Sequence, residues 1–238
     1  GPDITENDMQ MASFDYEHEV SANISFGGNI FYRKNKTDSF NGDGSEFAVC
    51  SLGGMPQLLD EIEEDDLEEL GLIDSDICNN QFANSDALEA FLNQTASMLE
   101  IDADFNLENF SDDISGSGIL SDEAINNLSD RAQESVGADF QWTIRGNFLG
   151  YSSQVIAGGA YYRGESNFNS ILELAELDPI SRLTLGRGTA TFVDSEETSI
   201  NTETESSSLY ISNTMDLSST VALTLSARGN YTDVTLRD

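Results

Sequence analysis

The residues able to carry chemistry are few and scattered. His18 is the sole histidine, and it shares alternate positions with Phe14, Tyr16 and Val20 in "FDYEHEV". A serine nucleophile needs a neighbouring base and an acid to orient it, and one histidine on an apolar stripe does not supply that base. Paired carboxylates hydrolyse glycosides when two are fixed in a cleft. Here 44 acidic residues stand against 10 basic ones, so no single pair is informative. No catalytic residue, metal ligand or cofactor is assigned, and the chain reads as a non-enzyme.

Two other patterns hold candidate ligands. "DADFNLEN" sets Asp102, Asp104, Asn106 and Glu108 at alternate positions, like the start of a calcium loop. Leu107 stands where that loop needs glycine, and Asp113 stands where it needs a bidentate Glu, so the calcium reading is the weaker one. "NGDG" at 41–44 reads as a plain turn. Cys50 and Cys78 lack the Cys-x2-Cys spacing of zinc sites. They read either as a disulfide of an exported protein or as two buried thiols. The disulfide is preferred, and closing a loop of that length contributes about 3–4 kcal/mol.

The elements that carry these residues alternate with a period of two. In "DFQWTIRGNF", Phe140, Trp142, Ile144 and Phe148 take one face, and Gln141, Thr143, Arg145 and Asn147 the other. The same alternation runs through "ASFDYEHEV", "ISFGGNIFYRKN", "QVIAGGAYYRGES", "SSSLYISNTMDL" and "TVALTLSARGNY", with Asn213 as an exception in its apolar face. Period two over these lengths predicts six strands. Their connections run short, long, short, long, short. A transmembrane β-barrel sorts its loops this way, tight turns on one side and large loops on the other. Ten residues tilted near 45° span roughly 23 Å, close to the apolar band of such a barrel.

The two faces then acquire roles. Phe140, Trp142, Ile144, Phe148, Leu223 and Leu225 are expected to face lipid. Arg33, Arg145 and Arg228 are expected to face a wet lumen, since unpaired arginine in a dry core is costly. Tyr32, Tyr161 and Tyr231 stand where the apolar stripes meet the long loops, the place of interfacial aromatics. Outside a membrane the stripes are expected to leave water. They would do so by curling onto each other and the insertion or by pairing between copies, and either arrangement buries Trp142.

The fold class expected is therefore mainly β, six antiparallel strands of a larger transmembrane-type barrel with a small acidic α-helical insertion. Residues 1–2, Gly-Pro, read as a cleavage remnant. Two barrel strands occupy 3–40, the insertion 41–137, and four strands 138–238 with a long loop at 167–203. The insertion holds 24 acidic residues and one basic residue, Arg131. Its patterns predict three helices. One follows Pro56 and ends at Gly71. One presents Leu88, Phe91, Leu92, Thr95 and Leu99, with Asp86 and Glu89 as a cap pair. One starts at Ser121 and repeats Ile125, Leu128 and Ala132. A formal net charge of -34 repels nucleic acid and anionic lipid head groups, so nucleic acid is excluded as a partner.

"NIFYRKNKTDSFNGDGSEF", "AINNLSDRAQESVGADFQW", "QVIAGGAYYRGESNF" and the closing "SLYISNTMDLSSTVALTLSARGNYTDVTLRD" resemble the barrel region of TonB-dependent outer-membrane receptors. The resemblance covers both ends of the chain and leaves out the acidic insertion. It implies a barrel of about 22 strands with a plug, an outer-membrane location with the insertion on the extracellular side, and import of a scarce small-molecule nutrient such as a siderophore, haem or another metal chelate. It also implies outer-membrane lipid as a partner. No plug and no TonB-contacting segment is recognisable, so the chain reads as a fragment that cannot transport by itself, with self-association as one of the two arrangements open to its stripes. The alternative class is a soluble exported all-β adhesion or binding module, calcium-dependent or not.

Overall fold

The computed structural model describes residues 3–237 apart from 80, 103–104, 119 and 185–190. The protein is mainly β and antiparallel. Its strands are β1 (Ile4–Ser21), β2 (Ile24–Gly44), β3 (Phe47–Leu52), β4 (Met55–Asp60), β5 (Ile114–Gly116), β6 (Ala124–Phe148), β7 (Tyr151–Ala175), β8 (Thr191–Asp216) and β9 (Ala222–Arg237). Helices α1 (Glu64–Leu70), α2 (Asp74–Ile77) and α3 (Ser85–Leu99) lie between β4 and β5. Seven strands form one sheet in the order β1-β2-β6-β7-β8-β5, with β9 also paired to β8, while β3 and β4 pair separately.

All six strands expected from alternation are present, and most are much longer than expected. β6 and β7 are each 25 residues long. They meet at a two-residue turn in which Leu149 and Gly150 both take positive φ, 54° and 88°. That pair of left-handed residues matches the twist of a tight hairpin. The short connections at 22–23 and 217–221 are as expected, and Leu217 N–H donates to the Val221 carbonyl at 2.9 Å. The long connections are shorter than expected. The expected loop at 167–203 shrinks to the stretch between Ala175 and Thr191, because alternating Ser, Thr, Asn and Glu residues continue both ladders.

By compactness the chain divides into two units. One holds residues 6–38, 130–169 and 199–238, and the other 1–5, 39–129 and 170–198. The second unit contains the insertion. Its buried core joins Cys50, Leu52, Leu59, Ile62, Leu67, Leu70, Ile77, Leu88, Leu92, Ala96 and Phe105. A second cluster there joins Phe47, Leu58, Phe110, Ile125, Leu174 and Val193. Cys50 is bridged to Cys78, 28 residues on, inside the first cluster. The preferred disulfide is therefore present.

The insertion departs from expectation in three places. Pro56 does not open a helix: Met55–Asp60 is strand β4, hydrogen-bonded to β3 with Pro56 opposite Ser51. A partner strand outweighs the helical spacing of Leu59 and Ile62, and only the stretch ending at Gly71 (φ 70°) is helical. The helix expected from Ser121 is instead the start of β6, where Ile125 enters the second core cluster. Ser121 donates its hydroxyl to the Ala175 carbonyl at 2.8 Å rather than capping a helix. The helix over Ser85–Leu99 is as expected, but Asn84 caps it, accepting from Ala87 N–H at 3.0 Å, and Glu89 turns away to accept from Leu107 N–H. Leu88, Leu92 and Ala96 are buried, whereas Phe91 and Leu99 are exposed.

Removing the bridge tests what it does for this core. Cys50→Ala with Cys78→Ala is expected to cost about 3 kcal/mol. The helical part of the circular dichroism signal should melt first while the strand signal persists. Coincident melting of both signals, unchanged from the parent chain, would show that the bridge does not hold the insertion.

Candidate functional site

The candidate site is the two-faced sheet of the first unit. Its facing can be read contact by contact. Phe26 and Trp142 have ring centroids 4.8 Å apart, and Phe26 and Tyr16 6.3 Å apart. A side chain added at Gly159 would meet both Phe140 and Leu209. Leu223 and Leu225 are register partners of Met215 and Asn213. Tyr16, Phe26, Phe140, Trp142, Leu209 and their register partners thus line one face, and strict alternation brings Ile144 and Phe148 to it. His18 stacks beside Tyr16 on this face, ring centroids 6.2 Å apart.

This face is exposed. Trp142 is 39 % and Ile144 44 % accessible, and Phe140, Phe148 and Leu225 are exposed as well. The expectation that Trp142 is buried is therefore corrected for the single chain. A sheet whose neighbours are held by continuous backbone ladders does not fold its own stripe inward; Trp142 has Phe26 beside it and solvent above. On β6 the apolar run from Val136 to Phe148 covers about 40 Å of strand, or about 28 Å across at a tilt near 45°.

Asn213, the polar residue in the apolar face of β8, has a partner. Ser153, itself buried, donates its hydroxyl to Asn213 Oδ1 at 2.6 Å. No sequence signal short of knowing the β7–β8 register could have found this pair.

Where the stripe ends, tyrosines meet carboxylates. Tyr161 donates its hydroxyl to Glu205 at 2.9 Å. Tyr32 is hydrogen-bonded to Glu134. Tyr231 lies opposite Ser207, one same-face step from the Glu205–Asp233 register pair. Arg163 Nη2 pairs with Glu203 at 2.6 Å and Glu165 at 3.0 Å. These ion pairs are exposed and contribute little to stability individually. Their value is positional, because they mark a sharp boundary between apolar and charged surface.

The reverse face is polar and internally hydrogen-bonded. Asn29 donates to Asp15 at 2.7 Å, Tyr210 to Gln141 at 3.0 Å and Arg145 Nε to Gln154 at 3.3 Å. Ser206–Thr232, Ser212–Ser226 and Thr214–Thr224 share hydroxyl bonds across β8 and β9. Arg228 donates to Asn230 at 2.8 Å. Arg33 lines a recess with Tyr162, Ser135, Thr202 and Thr204. The structure thus brings Arg33, Arg145 and Arg228 to the face opposite the apolar stripe. Thr143, on this polar face, is only 8 % exposed.

The ligand patterns fare differently. Asp104 of the calcium reading lies outside the described residues, as do Gly1 and Pro2. Leu107 is packed against the insertion core, and Glu108 gives its carbonyl to Asp60 N–H at 3.2 Å. Among the described residues, no group of three or more Asp, Glu, His or Cys is placed to hold a metal ion. Residues 41–43 do not form a free turn but continue β2 to Gly44. No family model matches the chain, and no curated protein matches it either.

The insertion carries a second electrostatic feature. Burial pushes the Asp60 carboxyl above the ordinary range, with Glu46 adding to the rise and a Glu108 backbone bond opposing it. Asp178, by contrast, is held below that range by backbone N–H groups of Ser181 and Ile180, at 3.0 and 2.8 Å. A raised carboxyl binds its proton more tightly when folded, so its penalty is absent in acid and grows as pH rises through the raised pKa. Asp60→Asn is therefore expected to raise the melting temperature by a few degrees at neutral pH. The gain should fade below the ordinary carboxylate pKa of about 3.9. A gain that is equal at both pH values would mean the substitution acts through packing instead.

Proposed function

We propose that this sheet is a stretch of the wall of an outer-membrane β-barrel receptor of the TonB-dependent kind. In this reading the apolar face meets lipid and the polar face lines the lumen. The insertion lies on the extracellular side. The assembled receptor binds a scarce small-molecule nutrient, such as a metal chelate, and imports it with energy delivered through TonB. Transport and ligand choice belong to the whole receptor.

One observation carries the proposal: an exposed apolar face on long antiparallel strands, ended by a row of tyrosines and carboxylates and backed by a hydrogen-bonded polar face. An exposed apolar patch of this continuity is foreign to a soluble monomer. In a barrel wall it is the membrane band, and tyrosines at its margin sit where one end is apolar and the other wet. Three tight turns alternating with two larger connections support the same reading. A soluble exported binding module offers no role for the stripe. No hydrolytic step enters the proposal, since the single histidine stacks on Tyr16 within the apolar face.

Paired arginine substitutions test the facing. In the receptor assembled in lipid, Ile144→Arg is expected to cost about 2–4 kcal/mol, the cost of a cation near mid-membrane. Asn147→Arg on the reverse face should cost little. The buried Thr143 is the wrong control, because an arginine there would fail for lack of space. Urea unfolding from vesicles measures both, and equal losses at the two positions would sink the membrane-wall reading.

A further inference from the structure

On the polar face, Ser135 is 5 % exposed, and its hydroxyl is buried with no hydrogen-bond partner. A buried hydroxyl left unpaired costs free energy unless something else satisfies it. Ser135 opens onto a recess of about 160 Å³ lined by Arg33, Tyr162, Ser166, Thr202 and Thr204. These five belong to β2, β7 and β8, brought beside β6 by the sheet order. Gln133 and Gly164 also line it, as do Glu134 and Glu165. Their carboxylates engage Tyr32 and Arg163, and alternation places those residues on the other face.

Three features define what the recess can hold. Among the described residues Arg33 has no salt-bridge partner, although the chain carries 44 acidic residues. An unmatched guanidinium within a hydroxyl-lined hollow suits one carboxylate, bound through two parallel N–H bonds. The hydroxyls of Ser135, Ser166, Thr202 and Thr204 both donate and accept, which suits a ligand rich in hydroxyls. The ring of Tyr162 leans over Gly164, where any added side chain would strike its phenol, and Phe31 leans over Gly137 in the same way. Tyr162 and Phe31 have ring centroids 6.5 Å apart. Rings laid along the sheet offer an apolar platform to a flat, weakly polar ligand face. The volume lies below the roughly 300 Å³ of drug-sized pockets and fits a single small unit. A phosphate would gather several cationic or backbone donors, whereas here there is one guanidinium.

We propose that this recess is a binding subsite for a monosaccharide-sized sugar acid. Arg33 takes its carboxylate, Ser135, Thr202 and Thr204 take its hydroxyls, and the ring of Tyr162 takes its apolar face. The inference goes beyond the receptor reading, which names no sugar, and it rests on that reading only in needing the polar face to be wet.

The test is a nuclear magnetic resonance titration of the whole chain held in detergent micelles, with galacturonate, galactose and inorganic phosphate as probes. Galacturonate is expected to shift the Ser135, Gly164 and Thr204 amides and leave the Trp142 indole still. It should saturate at a concentration about tenfold below galactose, the scale of one charge-assisted pair. Arg33→Gln should bring galacturonate to the level of galactose. Thr204→Val, at a half-buried position of the lining, should weaken both sugars several-fold. Absence of binding, equal affinity for the two sugars in the parent chain, phosphate binding as tightly as galacturonate, or unchanged selectivity in Arg33→Gln would each overturn the assignment. Vesicle unfolding of the arginine variants at 144 and 147 reads the membrane facing independently, so the two ideas can fail separately.

Discussion

Everything in the first unit depends on the backbone ladder between neighbouring strands. Each strand satisfies its N–H and C=O groups against the next, so its side chains are free to diverge in polarity. Because consecutive residues point to opposite sides, the ladder turns a simple alternation in sequence into two chemically distinct surfaces. Phe26, Phe140, Trp142 and Leu209 come together without any of them being near another in sequence, apart from Phe140 and Trp142. The hydroxyl pairs between β8 and β9 are assembled by the same ladder on the other side.

The insertion obeys a different rule. Its acidic surface cannot cohere by charge, so cohesion comes from a small set of buried leucines, one strand pair with a buried side and a bridge between Cys50 and Cys78. Burying each such side chain contributes on the order of 1.5–3 kcal/mol. Against that, Asp60 is held partly out of water beside Glu46, which shows how closely the acidic groups are pressed. The unit therefore combines a compact apolar centre with a shell that repels itself.

The strands of the sheet were legible in sequence because period two has no competitor over ten residues. Strand length was not, since beyond the apolar stripe the alternation is carried by Ser, Thr, Asn and Glu, residues that also fill loops. The insertion was legible where local signals sufficed: α3 has a continuous apolar face, and Gly71 ends α1 in a left-handed cap. It misled where the deciding partner was distant. Leu59 and Ile62 carry helical spacing, yet β3 recruits their segment into a hairpin. Ile125, Leu128 and Ala132 carry helical spacing too, yet the ladder to β7 extends through them. The candidate site shows the same limit. The face of each arginine followed from parity, whereas the gathering of Arg33, Ser135 and Thr204 into one recess required the strand order.

The Ser153–Asn213 pair has a consequence for how the chain avoids misassembly. Parity forbids β8 from sliding along β7 by one residue, because that would exchange its faces. It is silent about a slide of two, which keeps every apolar residue on the apolar side. Such a shift would strand a buried serine hydroxyl and an asparagine amide within an apolar surface, each without a mate. The loss on that scale, about 1–3 kcal/mol for each orphaned group, makes the pair a vernier: alternation selects the side, and this contact, with Tyr161–Glu205 and Arg163–Glu203 farther along the same two strands, selects the notch.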